Sequence, residues 1–259
     1  MIDMTRALLG LLTRIRLPGP RVDLWAAARQ QYFFPLIGLL VGVIAALICV
    51  SLDYVLGEGN PLVIGGLLLV AIYAVTGIIH TEGLADLADG VMASGSRERK
   101  HEIMKDPRAG VAAVIAVVVY LLLFFGLAVD MSARANDSVT VSPIPWHVPF
   151  ALGFIVSEVS GKLAMNTCML IGPSAHQGMG SVFVQNASAR RFAVAVGLAA
   201  AVCLLTVGFA AVILLVGVAG GAAVTLVARK HLGGVSGDVF GAANEIGRLF
   251  ALLLWVLVI

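Results

Sequence analysis

The sequence predicts an all-α membrane protein, a bundle of about seven transmembrane helices with its N-terminus in the cytoplasm. Three observations predict it. Of 259 residues, 60% are hydrophobic and 12% charged, against roughly 25% charged in an ordinary soluble domain. The apolar residues gather into runs close to the ~20 residues a helix needs to cross the hydrocarbon layer. Most Lys and Arg residues fall on one side of those runs.

The runs are residues 33–56, 61–80, 110–129, 146–171, 192–209, 211–229 and 239–259. They lack the alternation of a β-barrel, and a backbone in lipid must satisfy its own hydrogen bonds, so each is read as a helix. Phe192 to Val227 is long for one span and short for two, with Gly208 as the expected hairpin; one span there would make six in all. With seven spans, 14 of the 17 Lys and Arg lie in one set of loops, Arg134 stands alone opposite, and Lys162 and Arg248 lie within spans. A single span across 192–229 would set Arg229 and Lys230 opposite Arg190 and Arg191. The positive-inside rule therefore favours seven spans, a cytoplasmic N-terminus and a multi-pass protein of the cell membrane.

Residues 1–259 read as one integral membrane domain. Residues 1–29 are too polar to span, but Leu8, Leu9, Leu11 and Leu12 with Arg6, Arg14 and Arg16 form an interfacial amphipathic segment, a lipid-surface anchor. No cleavable signal is expected, because the first run follows a charged, Trp-containing stretch. Gly65, Gly66, Gly77, Gly126, Gly161, Gly220 and Gly221 are expected to serve close helix packing. Cys49, Cys168 and Cys203 lie in apolar runs without metal-like spacing and read as inert thiols. The net charge of +2 gives no argument for a nucleic-acid partner, and the sequence leaves room for a homo-oligomer.

The chemistry is concentrated in residues 81–109, the main cytoplasmic catalytic loop. If the second helix continues past the bilayer, Glu82, Asp86 and Asp89 share one face at spacings of four and three. Like charges so placed repel, and a compensating cation is needed. Magnesium, held by carboxylates and substrate phosphates, is the natural candidate. The run Arg97 to Gly110 carries Lys105, Asp106 and Arg108, whose cations can neutralise a polyphosphate. The glycine-rich stretch from Gly233 opens the last span with Gly237 and Asp238, and Asn244, Glu245 and Arg248 follow into the apolar region. Glu245 with Arg248, and Glu158 with Lys162, can pair within their helices or line a polar pathway. Residues 172–181 form a polar connector able to fold over a bound substrate.

These segments resemble the cobalamin synthase family, the adenosylcobinamide-GDP ribazoletransferases, along nearly the whole chain. The marks are Leu12-Thr13-Arg14-Ile15, Phe34-Pro35-Leu36-Ile37-Gly38, the acidic motif His80 to Gly90, Ile103-Met104-Lys105-Asp106 with Arg108, and Gly237-Asp238 with Gly241-Ala242. Glu82 stands where the family usually has aspartate, Pro107 where it has a small polar residue, and Arg16 where proline is common. The resemblance implies that α-ribazole or its 5′-phosphate attacks adenosylcobinamide-GDP, that GMP leaves, and that Mg²⁺ is required. On that reading Glu82, Asp86, Asp89 and Asp238 hold the metal, Lys105, Asp106 and Arg108 serve the departing GMP, and His80 or an acid takes the hydroxyl proton. Arg14, Arg97, Gly237, Asp238 and Asn244 are the candidate substrate contacts. Two rivals remain open. The spacing Asp86 to Gly90 is similar to the opening of the CDP-alcohol phosphotransferase motif, and the intramembrane charges suit a transporter.

Overall fold

The computed structural model describes residues 2–19, 23–56, 60–137 and 147–258. Arg21, the first residue of the expected span 146–171 and the last of 239–259 lie outside the described residues. The chain runs α1 (Ile2–Leu12), α2 (Leu24–Arg29), α3 (Phe34–Leu56), α4 (Pro61–Thr76), α5 (Ile79–Met92), α6 (Arg97–Met104), α7 (Val111–Asp137), α8 (His147–Ile171), α9 (Met179–Gln185), α10 (Ala189–Val207), α11 (Leu214–Leu232) and α12 (Gly237–Val258). Short 3₁₀ segments, Gln31–Phe33 and Gly208–Ile213, precede α3 and α11. Among the described residues, α3, α7, α8, α10, α11 and α12 are long and apolar enough to cross a membrane, and α4 with α5 makes a seventh if the bent pair is one span. The stretch 192–229 divides in two as expected, and Gly208 turns with φ 59° at the break.

The second span departs from its expected course. Instead of running straight through residue 80 into the acidic motif, the helix stops at Thr76 and resumes at Ile79 after a 94° bend. Gly77 makes the break at φ 71°, a region that suits glycine. The backbone N–H of Arg14 donates to Val75 O at 2.7 Å, satisfying a carbonyl that the broken helix leaves free. Residues 79–104 are therefore helical for most of their length, and α5, bent by 94° from α4, packs on α7, α11 and α12. On α1, Leu8, Leu9 and Leu12 are buried against the protein.

The least apolar of the six spans, α8, is also the most enclosed: 89% of its span window is buried, against 17% for α10. Its Ser157, Glu158, Ser160, Lys162, Asn166 and Thr167 all face protein. Glycines set neighbouring helices against its backbone. A Cβ at Gly42 of α3 would lie 2.5 Å from Ile155 Cα, and one at Gly221 of α11 would lie 2.4 Å from Ala164 O. Gly126, expected to pack, meets no neighbour within 4 Å among the described residues.

The intramembrane charges pair across helices. Arg248 of α12 donates to Glu158 on α8 at 3.0 Å and to Glu245 on its own helix at 2.5 Å, and its Nε donates to the Tyr120 hydroxyl at 3.0 Å. Lys162 stands 4.0 Å from Glu158 and donates to Asn244 Oδ1 at 2.6 Å. Two carboxylates and two cations thus close on one another, the arrangement that lipid-depth charges require. Asn244, expected at the substrate site, is fully buried in this network because its side chain serves Lys162.

Candidate functional site

Helix α5 carries Glu82, Asp86 and Asp89 along one side, as the spacing predicts, although on a separate helix rather than an extension of the second span. It crosses the start of α12 at backbone contact. A Cβ at Gly83 would lie 2.4 Å from the Asp238 carbonyl oxygen, and one at Gly241 would lie 3.0 Å from the His80 backbone. This crossing brings Asp238, in the first turn of α12, beside the acids of α5. Gly83→Val is expected to separate the helices and cost about 1–3 kcal/mol of stability. Unchanged unfolding temperature in detergent would contradict the tight crossing.

Asp86 is the half-buried centre of the cluster. Burial, followed by the negative charges of Asp238, Glu82 and Asp89, raises its carboxyl to about 7. Asp89 is differently employed. Its Oδ2 accepts from Gly110 N–H at 2.7 Å and its Oδ1 from Ala113 N–H at 2.9 Å, so it caps the N-terminus of α7 from a neighbouring helix. Asp89→Asn should lose one of these bonds, lower stability by about 1 kcal/mol and leave more activity than Asp86→Asn. Equal loss of activity without loss of stability would sink the capping role.

Two cavities flank the acids. One of about 400 Å³ is lined by Asp89, Asp106, Arg108 and Gly110. The other, of about 270 Å³, enters among α1, α3, α5, α8, α9 and α12, and has His80, Gly237, Asp238 and Gly241 in its wall. His80 is itself buried. The connector 172–181 is a fixed wall of this cavity rather than a free cover. Ala175 N–H donates to Val235 O at 2.9 Å and Val235 N–H to Pro173 O at 2.7 Å.

Residues 4–256 match the model of the cobalamin-5-phosphate synthase family. The chain belongs to that family. Several proteins named adenosylcobinamide-GDP ribazoletransferase are similar to it over nearly their whole length. The protein from Halorubrum lacusprofundi is 37% identical, covering 97% of this chain and 96% of its own. Those from Thermococcus kodakarensis and Pyrococcus abyssi are 31% and 30% identical, the first covering 98% of both chains and the second 96% of both. No solved structure matches.

In this cobalamin-5-phosphate synthase family member Arg108 shares the 400 Å³ cavity with Asp89 and Asp106. Arg108 is turned onto Asp106 through Nε at 3.0 Å and Nη2 at 2.7 Å, which lowers Asp106 to about 2 and raises the guanidinium. Lys105 is exposed at the end of α6, and exposed Arg97 lies against Gly233. Arg14 packs over Gly77 at the α4–α5 bend. Sequence reasoning missed Lys100, which is buried and donates to Val91 O at 3.3 Å while standing 3.4 Å from His231. It ties α6 to α5 and α11, and its place in an alternating charge run gives no sign of that. His101 was likewise missed; it bonds Leu232 O at 3.0 Å.

Among the described residues, no three His, Cys, Asp or Glu side chains stand close enough together to enclose a metal ion. The donor set nevertheless suits a hard cation. It consists of carboxylates, with Asp86 raised by burial and then by the negative charge of its neighbours, and Mg²⁺ commonly takes one or two carboxylates and completes its shell with water and phosphate.

Proposed function

We propose that this chain joins α-ribazole, or its 5′-phosphate, to adenosylcobinamide-GDP with release of GMP, giving adenosylcobalamin or its 5′-phosphate. It does so in the cell membrane, with Mg²⁺ bound and the acidic end of the bundle in the cytoplasm. Family membership and the names of its relatives support the reaction. The observation that carries it is the convergence of Glu82, Asp86 and Asp238 from two helices beside two cavities. The positive-inside count supports the orientation.

Asp86, with one of Glu82 and Asp238, would hold the ion and substrate phosphate would complete its shell, and Asp89 keeps α5 in register with α7. Bound Mg²⁺ supplies charge neutralisation on the diphosphate, the main requirement of phosphoryl transfer. Arg108 reaches a departing phosphate once it releases Asp106, and exposed Lys105 adds a second positive charge. His80 is buried in the wall of the 270 Å³ cavity, so a carboxylate of the cluster takes the proton of the attacking hydroxyl.

The test is to supply both substrates to protein in nanodiscs and follow GMP and the corrinoid product. Joint appearance of the two products, loss with EDTA and recovery with Mg²⁺ support the proposal. Absence of both from folded protein overturns it.

Asp86 also gives a pH prediction. Its carboxyl is raised from the ordinary 3.8 to about 7 in the folded protein, so the unfolded chain loses this proton first. Stability without divalent ions should therefore fall as pH rises from about 4 to 7 and level off above. Below 7 the bound proton competes with the cation, and Mg²⁺ should raise the unfolding temperature more at pH 8 than at pH 6. Equal Mg²⁺ effects at the two values would count against Asp86 as a ligand.

A further inference from the structure

The 270 Å³ cavity lies at the small end of ligand pockets, which run from about 300 to 1,000 Å³. Its inner wall is apolar: Phe34, Met165, Met169 and Phe183 are each buried to at least 96%. The Phe34 and Phe183 rings are tilted, with centroids 5.9 Å apart. The wall is held in place from outside. Gln31 Nε2 donates to Phe183 O at 3.1 Å, and Asn166 Nδ2 donates to Gln31 O at 3.0 Å. Methionine sulfur and phenylalanine faces are favourable neighbours for a flat aromatic ring. Asp238 is the lining carboxylate, and it also belongs to the acid cluster. A ring in this cavity would therefore carry its substituent toward the acids.

Resting on the proposed reaction, we infer that this cavity takes the base of the attacking nucleoside, a flat bicyclic heteroaromatic without exocyclic polar groups, and directs its ribose toward Asp238. A corrin macrocycle is far too large for the space. Guanine has the size, but its amide and amino groups need several hydrogen-bond partners, and an edge set against Phe34, Met165, Met169 and Phe183 rather than His80, His176, Ser236 or Asp238 leaves them unpaired at about 1–3 kcal/mol each. A benzimidazole-type base brings two ring nitrogens, one of them used by the ribosyl bond, which leaves a single acceptor for a lining donor such as His80, His176 or Ser236, and the rest of its surface is apolar. The GDP end of the other substrate is left to the polar side of the cluster.

Met179 lines the cavity and is exposed at its rim, whereas Cys49, Cys168 and Cys203 are buried. This permits a blocking experiment on folded protein. The Met179→Cys variant in nanodiscs is titrated with α-ribazole before and after modification with N-ethylmaleimide, with GDP as the comparison ligand. Modification is expected to weaken α-ribazole binding by about tenfold or more, and α-ribazole, but not GDP, to slow modification. Unchanged binding after modification, or equal protection by GDP, overturns the assignment. So does failure of unmodified protein to bind α-ribazole. Modification-sensitive binding in a protein that releases no GMP would leave the cavity assigned and overturn the reaction instead.

Discussion

Replacing Asp86 with asparagine should lower GMP release by about 10²- to 10³-fold, the loss typical of removing one charge-stabilising group from an active site. Asp86 is the group on which the cluster's repulsion converges, so removing its charge relieves Asp238, Glu82 and Asp89. The metal-free variant should consequently be at least as stable as the parent at pH 8, and Mg²⁺ should stabilise it less. Activity loss with retained or increased thermal stability separates this outcome from misfolding. Near-parental turnover at limiting Mg²⁺ would remove Asp86 from the proposed machinery.

The largest effect on stability is expected at Arg248. Its guanidinium is 2% exposed and serves Glu158, Glu245 and Tyr120 together. Arg248→Met should leave a buried carboxylate without a counter-charge and cost about 3–5 kcal/mol. Adding Glu245→Gln restores equal numbers of acids and bases around Lys162 and should recover part of the loss. Unfolding can be followed in detergent through exposure of the buried thiols Cys49, Cys168 and Cys203 to a fluorescent reagent. An unchanged midpoint for Arg248→Met would show that the network contributes little. The network also reaches the site, since Thr81 of α5 lies 3.5 Å from Glu245 and 3.2 Å from Tyr73. Arg248→Met is therefore expected to disturb α5 as well as the core.

The helical class, the division of 192–229 and the association of acids at one end were legible in the sequence. Span length and hydropathy are local properties, and an i, i+4, i+7 row of carboxylates shares a face on any helix. The same holds for Asp238, which a glycine-rich helix start at the polar end of the last span already marked. The direction of α5 was not legible. An apolar run through residue 80 looks continuous in composition, and the bend depends on Gly77 together with the Arg14 backbone some sixty residues upstream in the chain.

Partner choice was the other gap. Glu158 and Lys162 have ideal spacing for each other, yet Glu158 is bound more closely by Arg248 from α12, and Lys162 by Asn244. Asp89 could be read as a third ligand until α7 brought the N–H groups of Gly110 and Ala113 to its two oxygens. By itself the sequence determined which residues must leave water for lipid and which could share a helix face, because transfer energy and helix period act over short stretches. Only the tertiary structure decided which buried charge meets which, and that Asp89 caps a neighbouring helix. Those outcomes depend on atoms from helices far apart in the chain, and no periodicity encodes them.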